Sequence, residues 1–290
     1  MTGMELKFLT QSFKIMNKTI LVPTDFSEVC RNAADQAAEA ARLFNHRLVL
    51  LHVINQDTKA FLKNEFAELP AIDQMLEEQA LEIRTRFGID VETRAVEGSI
   101  FSTISEVARD MEASLVFLGT HGKVGMQHLT GSFALKVVTG SPVPVIVVQK
   151  RKVDRYQNIV LPITSEAGPW EKTKWAVYIS KNFLATIHIY MIDTDKEEIR
   201  DTVNSIGQHF EKNNVPYTLK IAEKSSGFAA QVITYATSIN ADMIMIMTNP
   251  DKSFTSFLLG TYDEEIILNS SQIPVMCINP RKFNYEILGL

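Results

Sequence analysis

Apolar residues in the first half of the chain form short continuous runs that alternate with longer stretches of helical spacing. The runs Thr19–Val22 and Leu48–Ile54 are nearly uninterrupted, which is typical of strands covered on both faces of a sheet. Between them, apolar residues recur every three or four positions from Val29 to Phe44, and Ser27 stands where it can cap a helix. This alternation predicts a parallel sheet with helices on both faces.

The same alternation continues to the middle of the chain. After a charged stretch, a helical pattern begins near Pro70 and ends at Gly88, a residue suited to the left-handed end of a helix. The remaining predicted elements of this half are a strand over Val91–Val96, a helix capped by Ser99, a strand over Leu115–Leu118, a helix from about Ser132 to Val138 and a strand over Pro142–Val148.

The second half repeats the order of the first. Ile159–Pro162 matches Ile20–Pro23, and Ile273–Ile278 matches Val143–Val148. Because so many matches occur in the same order, the sequence predicts a duplication, that is, two tandem doubly wound α/β domains. The predicted division is an N-terminal extension over 1–16, a first domain over 17–150, a second domain over 157–280 and a C-terminal tail over 281–290.

Composition and charge narrow the functions open to such a chain. Hydrophobic residues make up 46% and charged residues 22%, as in globular proteins with a packed core. A net charge of -5 provides no basic field for nucleic acid, so we expect no nucleic-acid partner. No apolar run approaches the ~18 residues of a membrane span, and charges interrupt residues 1–16, which argues against a signal peptide. We therefore expect a cytoplasmic protein that does not associate with membranes.

The cysteines and histidines offer no obvious catalytic or metal centre. Cys30 and Cys277 lack the spacing of a metal site or a redox pair, so we interpret them as small buried side chains in a reducing compartment. His121 and His128 have no neighbouring nucleophile or second metal ligand, and each is interpreted as a ligand contact or as a solvated loop residue. The sequence predicts no catalytic residues and no metal site.

Polar and glycine residues follow two of the predicted strands in the first half. Asp25 comes after the first strand, where parallel sheets bind ligands, although an Asp there is often a turn residue. Gly119 and Gly122 follow a later strand, and Gly131-Ser132 opens the next helix. Glycines and an unpaired helix N-terminus let backbone amides approach an anion, so this segment predicts a phosphate cradle, with an ordinary turn as the alternative.

These motifs together resemble the universal stress protein family. The resemblance is carried by Ile20–Ser27, Leu51–Val53, Gly119–Gly122, Gly131-Ser132 and Pro142–Val148. It implies a five-stranded parallel sheet in each domain and pairing through the last strand. In a tandem chain it further implies a pseudo-two-fold axis between the halves, with Val143–Val148 antiparallel to Ile273–Ile278.

The resemblance also implies a ligand and its site. One branch of the family binds ATP, with Asp25 and Val53 in the positions that hold the adenosine and the glycine motifs in the positions that hold the phosphates. ATP, accompanied by Mg²⁺, is therefore the expected cofactor. Eight residues separate Gly122 from Gly131 here, one fewer than the family pattern. The candidate cofactor-binding residues are Pro23, Thr24, Asp25, Val53, Gly119, His121, Gly122, Gly131, Ser132 and Phe133.

The second half departs from the motif at several positions. Thr164 replaces Asp25, and Thr248 and Asp251 replace the two loop glycines, leaving Gly260-Thr261. A carboxylate beside phosphates is repulsive, so we expect a nucleotide in the first half alone. The alternative is a scaffold or partner-interaction protein of the same fold that binds no nucleotide.

An enzyme and a stable oligomer are the remaining alternatives. Related adenylyl-transfer and ATP pyrophosphatase domains use signatures such as Ser-Gly-Gly-x-Asp-Ser or His-x-Gly-His, and neither string occurs here. Any ATP hydrolysis is therefore expected to be slow.

The chain already contains the pair of domains that single-domain relatives form by dimerising, so we expect a monomer or a weak homodimer.

Overall fold

The computed structural model describes residues 18–120, 131–165, 169–223, 227–248 and 261–280, apart from the side chains of 131, 132 and 261. In this part of the chain, ten strands form one continuous sheet. Both faces of the sheet are covered, since Ile20 and Val22 pack into one hydrophobic cluster and Leu21 packs into another. Because both faces are buried, the strands can be almost wholly apolar, and the predicted α/β class is confirmed.

The elements of the two halves follow one another in matching order. The first half consists of β1 (Thr19–Pro23), α1 (Glu28–Phe44), β2 (Arg47–Ile54), α2 (Gln56–Asn64), α3 (Pro70–Phe87), β3 (Val91–Glu97), α4 (Ile100–Asp110), β4 (Ala113–Gly119), α5 (Gly131–Gly140) and β5 (Val145–Val148). The second half consists of β6 (Asn158–Ile163), α6 (Pro169–Phe183), β7 (Thr186–Met191), α7 (Glu197–Lys212), β8 (Tyr217–Ile221), α8 (Phe228–Ser238), β9 (Met243–Met247), α9 (Thr261–Ile267) and β10 (Val275–Ile278).

The order of strands across the sheet is palindromic. It runs β3-β2-β1-β4-β5-β10-β9-β6-β7-β8, and neighbours within each half are parallel. At the centre β5 and β10 are antiparallel, with Ile146 opposite Met276. An antiparallel centre flanked by equivalent strands is the arrangement that a pseudo-two-fold axis produces, so the predicted pairing of the last strands is confirmed.

Local signals in the sequence account for one end each of α1 and α3, whereas the predicted cap of α4 is wrong, because Ser99 stands at its start without a side-chain capping hydrogen bond. The Ser27 hydroxyl accepts the N–H of Cys30 at 3.3 Å and begins α1, while Gly88 ends α3 with φ of 66°. The charged stretch after β2 was not predicted to form an element, but it contains α2. None of the described helices is both long enough and apolar enough to span a membrane.

Candidate functional site

The first half contains a cavity at the carboxyl ends of its central strands. Its volume is about 320 Å³, and it lies over the ends of β1, β2 and β4 between α2, α3 and α4. The strand order turns at β1 and β4, which is the switch point where doubly wound sheets bind ligands. The cavity is lined by Pro23, Thr24, Asp25, Phe26, Leu51, His52, Val53, Asn55, Asp57, Thr58, Phe61, Ile72, Met75, Ile100, Ile104 and Leu118.

A tight turn after β1 forms one wall of this cavity. The Asp25 carboxylate accepts the N–H of Ser27 at 3.0 Å, and the Thr24 hydroxyl accepts the N–H of Phe26 at 3.1 Å. Phe26 itself has φ of 65°, in the left-handed region that bulky residues rarely adopt. Asp25 is thus a turn residue, as one interpretation of the sequence held, and its half-buried carboxylate also lines the cavity.

His52 connects this turn to the start of α2. Its Nδ1 lies 2.8 Å from the carbonyl oxygen of Thr24, and its Nε2 lies 2.9 Å from the hydroxyl of Thr58. A carbonyl oxygen can only accept, so Nδ1 carries the proton and the Thr58 hydroxyl donates to Nε2. Burial lowers the pKa of His52 below its ordinary value, more than its contact with Thr24 and the charge of Asp25 raise it. The ring is therefore neutral at pH 7 and also stacks on Phe26, with centroids 4.9 Å apart.

Helix α2 forms the outer wall of the cavity. The Asn55 side chain accepts the N–H of Thr58 at 3.0 Å, and the Thr58 hydroxyl accepts the N–H of Asn55 at 3.4 Å, which together make a capping box. Phe61 from this helix also lines the cavity and is 45% exposed. The cap fixes where α2 starts, and therefore how far Phe61 stands from the ends of the strands.

Gly119 lies at the end of β4, where the strand passes close to α1. A Cβ atom at this position would lie 2.9 Å from Cα of Cys30 and 3.0 Å from the carbonyl oxygen of Val29. Real Cβ atoms do not approach backbone this closely, so the packing of β4 against α1 alone requires a glycine. Gly119 does not line the cavity.

The predicted phosphate segment is described only in part. Gly122 and His121 lie outside the described residues, as does the side chain of Ser132, while Gly131 is the first residue of α5. Phe133 stacks on Phe101 of α4, with ring centroids 5.0 Å apart and an angle of 19° between the planes. Phe133 therefore ties α5 to the helix whose first turn lines the cavity.

The corresponding position in the second half has different chemistry. The register of β6 with β7 matches that of β1 with β2, which places Ile163 and Met191 where the first half has Thr24 and His52. Lys172 is fully buried, and its ammonium donates to the carbonyl oxygen of Pro162 near the carboxyl end of β6. The half-buried Thr164 follows this strand. At these positions the second half thus has Ile163 and Met191 in place of Thr24 and His52, with the buried Lys172 beside them.

Both cysteines are buried, and neither is a reactive thiol. Burial, together with the nearby charge of Asp25, raises the pKa of Cys30 to about 12, and burial also raises the pKa of Cys277. A thiol that stays protonated at pH 7 is a poor nucleophile and a poor metal ligand. Across the described residues, no group of three or more His, Cys, Asp or Glu side chains could hold a metal ion.

Some of the residues that line this cavity were predicted from the sequence. Of its candidate residues, Pro23, Thr24, Asp25 and Val53 all line the cavity. It did not select His52, whose position beside Val53 at the end of a buried strand was the available signal. Nor did it select Asn55 and Thr58, because their capping pattern lies in the charged stretch that predicted no helix.

The fold and the cavity define the class of this protein. It is a tandem doubly wound α/β protein with a ligand-sized cavity at the switch point of its first half. Comparison with known proteins then gives the family. The model of the universal stress protein family matches residues 16–149.

Curated relatives and solved structures agree with this match. A universal stress protein of Methanocaldococcus jannaschii is 31% identical over 149 residues, covering 47% of this chain and 84% of the relative. One from Synechocystis is 33% identical over 141 residues, covering 46% and 87%. A universal stress protein from Archaeoglobus fulgidus shares the fold, with a TM-score of 0.73 at 19% identity over 91% of this chain and 99% of that one. The chain belongs to the universal stress protein family of stress-response proteins, as a tandem member.

Proposed function

We propose that the first half binds an adenine nucleotide, ATP with Mg²⁺, and that the protein acts as a nucleotide-dependent regulatory module of the stress response in the cytoplasm. The observation that carries this proposal is the cavity at the switch point, bordered by the Asp25 carboxylate. Its volume of about 320 Å³ lies within the roughly 300–1,000 Å³ of small-molecule sites. Its wall is mainly apolar, which suits the flat faces of a purine.

The polar groups at the end of β1 suit the nucleoside end of the ligand. A carboxylate has about four lone-pair positions, so Asp25 can accept from a ligand as well as from Ser27. The start of α5 at Gly131 supports a place for the phosphates, because the first amides of a helix have no partner within it. His121, Gly122 and Ser132 remain candidates for this part of the site.

Titration calorimetry with ATP, with and without Mg²⁺, tests the proposal. Replacing Asp25 by Ala should weaken binding by about 1–3 kcal/mol, the usual cost of removing a buried hydrogen-bond partner. Asp25→Asn retains an acceptor for Ser27 and therefore retains the turn, so it should weaken ATP binding without changing stability. The matched control is Thr164→Ala in the second half, which should leave both the affinity and a stoichiometry of one ATP per chain unchanged.

The contrary outcomes are distinct. Full affinity in Asp25→Asn would mean that Asp25 acts through the turn alone. Two ATP per chain, or lost affinity in Thr164→Ala, would mean that the second half also binds. Absence of heat and of copurified nucleotide would favour the second candidate, a scaffold that binds no nucleotide. The position of Gly119 supports that candidate, because packing against α1 explains this glycine without a ligand.

A further inference from the structure

The outer edge of β8 ends the sheet on the side of the second half. The N–H of Ile187 donates to the carbonyl oxygen of Pro216 at 2.9 Å, and the N–H of Ala222 donates to that of Met191 at 2.8 Å. Because backbone groups alternate sides along a strand, the even-numbered residues of β8 face β7. The N–H and C=O groups of residues 217, 219 and 221 therefore face outward, where no strand of the described chain pairs with them.

The residues with these outward groups also carry the apolar side chains of the strand. Leu219 is 49% exposed and Ile221 is 52% exposed, while Tyr217 is half-buried beside Phe210. Their side chains share one face of the sheet because they are two residues apart. The edge thus combines unpaired backbone groups with a continuous apolar strip.

The equivalent edge of the first half carries different side chains. Thr93 pairs with Leu50 as Leu219 pairs with Ile189, so the matching positions on β3 hold the smaller Thr93 and Ala95. Helix α2 reaches the end of β3 through an ion pair between Lys59 and Glu97. In the second half, the described link over 192–196 contains no helix, so the described residues hold no counterpart of α2.

Charge distinguishes the two edges further. β3 carries Glu92, Arg94 and Glu97, and charged side chains are a common means of keeping edge strands from pairing. The only charge on β8 is Lys220, whose ammonium lies over the ring of Tyr235, 4.9 Å from its centroid. Lys220 alternates with the apolar strip and therefore leaves that face without a charge.

We propose that β8 is a docking surface for a second copy of this chain, with two β8 strands pairing antiparallel about Leu219. In this register Leu219 faces its own copy, Tyr217 faces Ile221, and Thr218 faces Lys220. The outward residues of one copy then meet those of the other, so every outward N–H and C=O can find a partner. No like charges face each other in this register.

The strength of this association follows from its size. A pair of five-residue strands buries less than the roughly 1,200 Å² of stable complexes. The dimer should therefore be weak and depend on concentration. Pairing through β8 does not depend on whether the first half binds a nucleotide.

Sedimentation of the full chain over a range of concentrations tests the surface. The wild type should shift from monomer to dimer, and Leu219→Lys should raise the dissociation constant at least about tenfold, because it places two lysines opposite each other. The matched control Thr93→Lys changes the equivalent position on β3 and should leave the dimer unchanged. A wild type that stays monomeric, or a Thr93→Lys variant that loses the dimer equally, would refute the proposal.

Cross-linking checks the register. Directly paired residues that exchange hydrogen bonds have Cα atoms about 5.5 Å apart, within the disulfide range. Leu219→Cys should form a covalent dimer with oxidised glutathione, and Thr93→Cys should not. Cys30 and Cys277 give no background because both are buried. A concentration-dependent dimer that does not cross-link through Leu219→Cys would place the contact elsewhere.

Discussion

At the residue scale, Gly119 is a position where packing limits the side chain to a hydrogen atom. The nearest groups to its missing Cβ are backbone atoms of Val29 and Cys30, which cannot rotate away as a side chain could. The end of β4 and the first turn of α1 are therefore held in direct contact. This contact also positions Ser27 and the turn that borders the cavity.

Replacing Gly119 by Ala should destabilise the protein by about 1–3 kcal/mol, the range for overpacked sites. Urea unfolding measures this change. Gly140→Ala is the control, because its Cβ would meet only the Ser105 hydroxyl at 3.6 Å, an ordinary contact. Equal stability of the two variants would mean that α1 moves away from β4 at little cost.

His46 is a second residue whose surroundings determine a measurable property. Burial, and secondarily the charge of Lys18, lowers its pKa from 6.5 to about 4. The Ser114 hydroxyl donates to the carbonyl oxygen of Thr19, so it accepts from Nδ1–H of His46 at 3.2 Å. The folded protein thus holds this ring neutral at pH values where the unfolded chain protonates it.

The free energy of unfolding should therefore fall as the pH drops from 6.5 toward 4. His46 contributes this stability fully above pH 6.5 and loses about 2 kcal/mol of it by pH 5, because only the unfolded state takes up the proton. His46→Gln does not titrate, so its unfolding free energy should decline less over the same range. Parallel decline of variant and wild type in urea titrations would contradict the assignment.

At the element scale, each half holds a helix end of the other. After β10, the Asn279 amide donates to the carbonyl oxygens of Val138 at 2.7 Å and Ser141 at 3.1 Å, at the end of α5. After β5, the Gln149 amide donates to the carbonyl oxygen of Asn269 at 3.1 Å, just beyond α9. These reciprocal contacts satisfy carbonyls that a helix end leaves without partners.

Replacing Asn279 by Ala should cost about 1–3 kcal/mol, because it removes the side-chain donor of the buried Ser141 carbonyl and leaves the Val138 carbonyl only its bond from the N–H of Ser141. Asn182→Ala removes a comparable amide bond, 2.8 Å to the carbonyl oxygen of Tyr178 within α6, and should cost less because that carbonyl keeps its place in the helix. Denaturant unfolding compares the two. An Asn279→Ala variant as stable as wild type would mean that water replaces the amide.

The elements also show where sequence patterns reach their limit. Helix α1 was predictable because its alanines recur at helical spacing and Ser27 caps it. Helix α2 was not, because only Thr58 and Leu62 of its residues are buried, and so little apolar surface gives no clear period. Its start depends instead on a capping box and on the contact of Thr58 with His52 of β2, and neither produces a periodic pattern.

At the scale of the whole molecule, the duplication determined the main features in advance. Matching strand runs predicted the two halves, and the family resemblance predicted the antiparallel pairing that joins β5 to β10. The domain limits of 17–150 and 157–280 stay a prediction. The exposed edge of β8 was not predictable, because alternation at Tyr217, Leu219 and Ile221 looks the same for a covered strand and an open one.

The central pairing has a consequence for how the chain is made. β5 ends at Val148, but its partner strand β10 begins only at Val275. At about 5–20 residues per second, a ribosome needs on the order of 10 s to synthesise the intervening chain. During that interval the wholly apolar β5 lacks the partner strand that covers its edge in the folded protein. Neighbouring ribosomes on one messenger RNA can then bring two such edges together. Pairing of β5 between two nascent chains therefore competes with pairing of β5 with its own β10, and closer spacing of the ribosomes favours the pairing between chains.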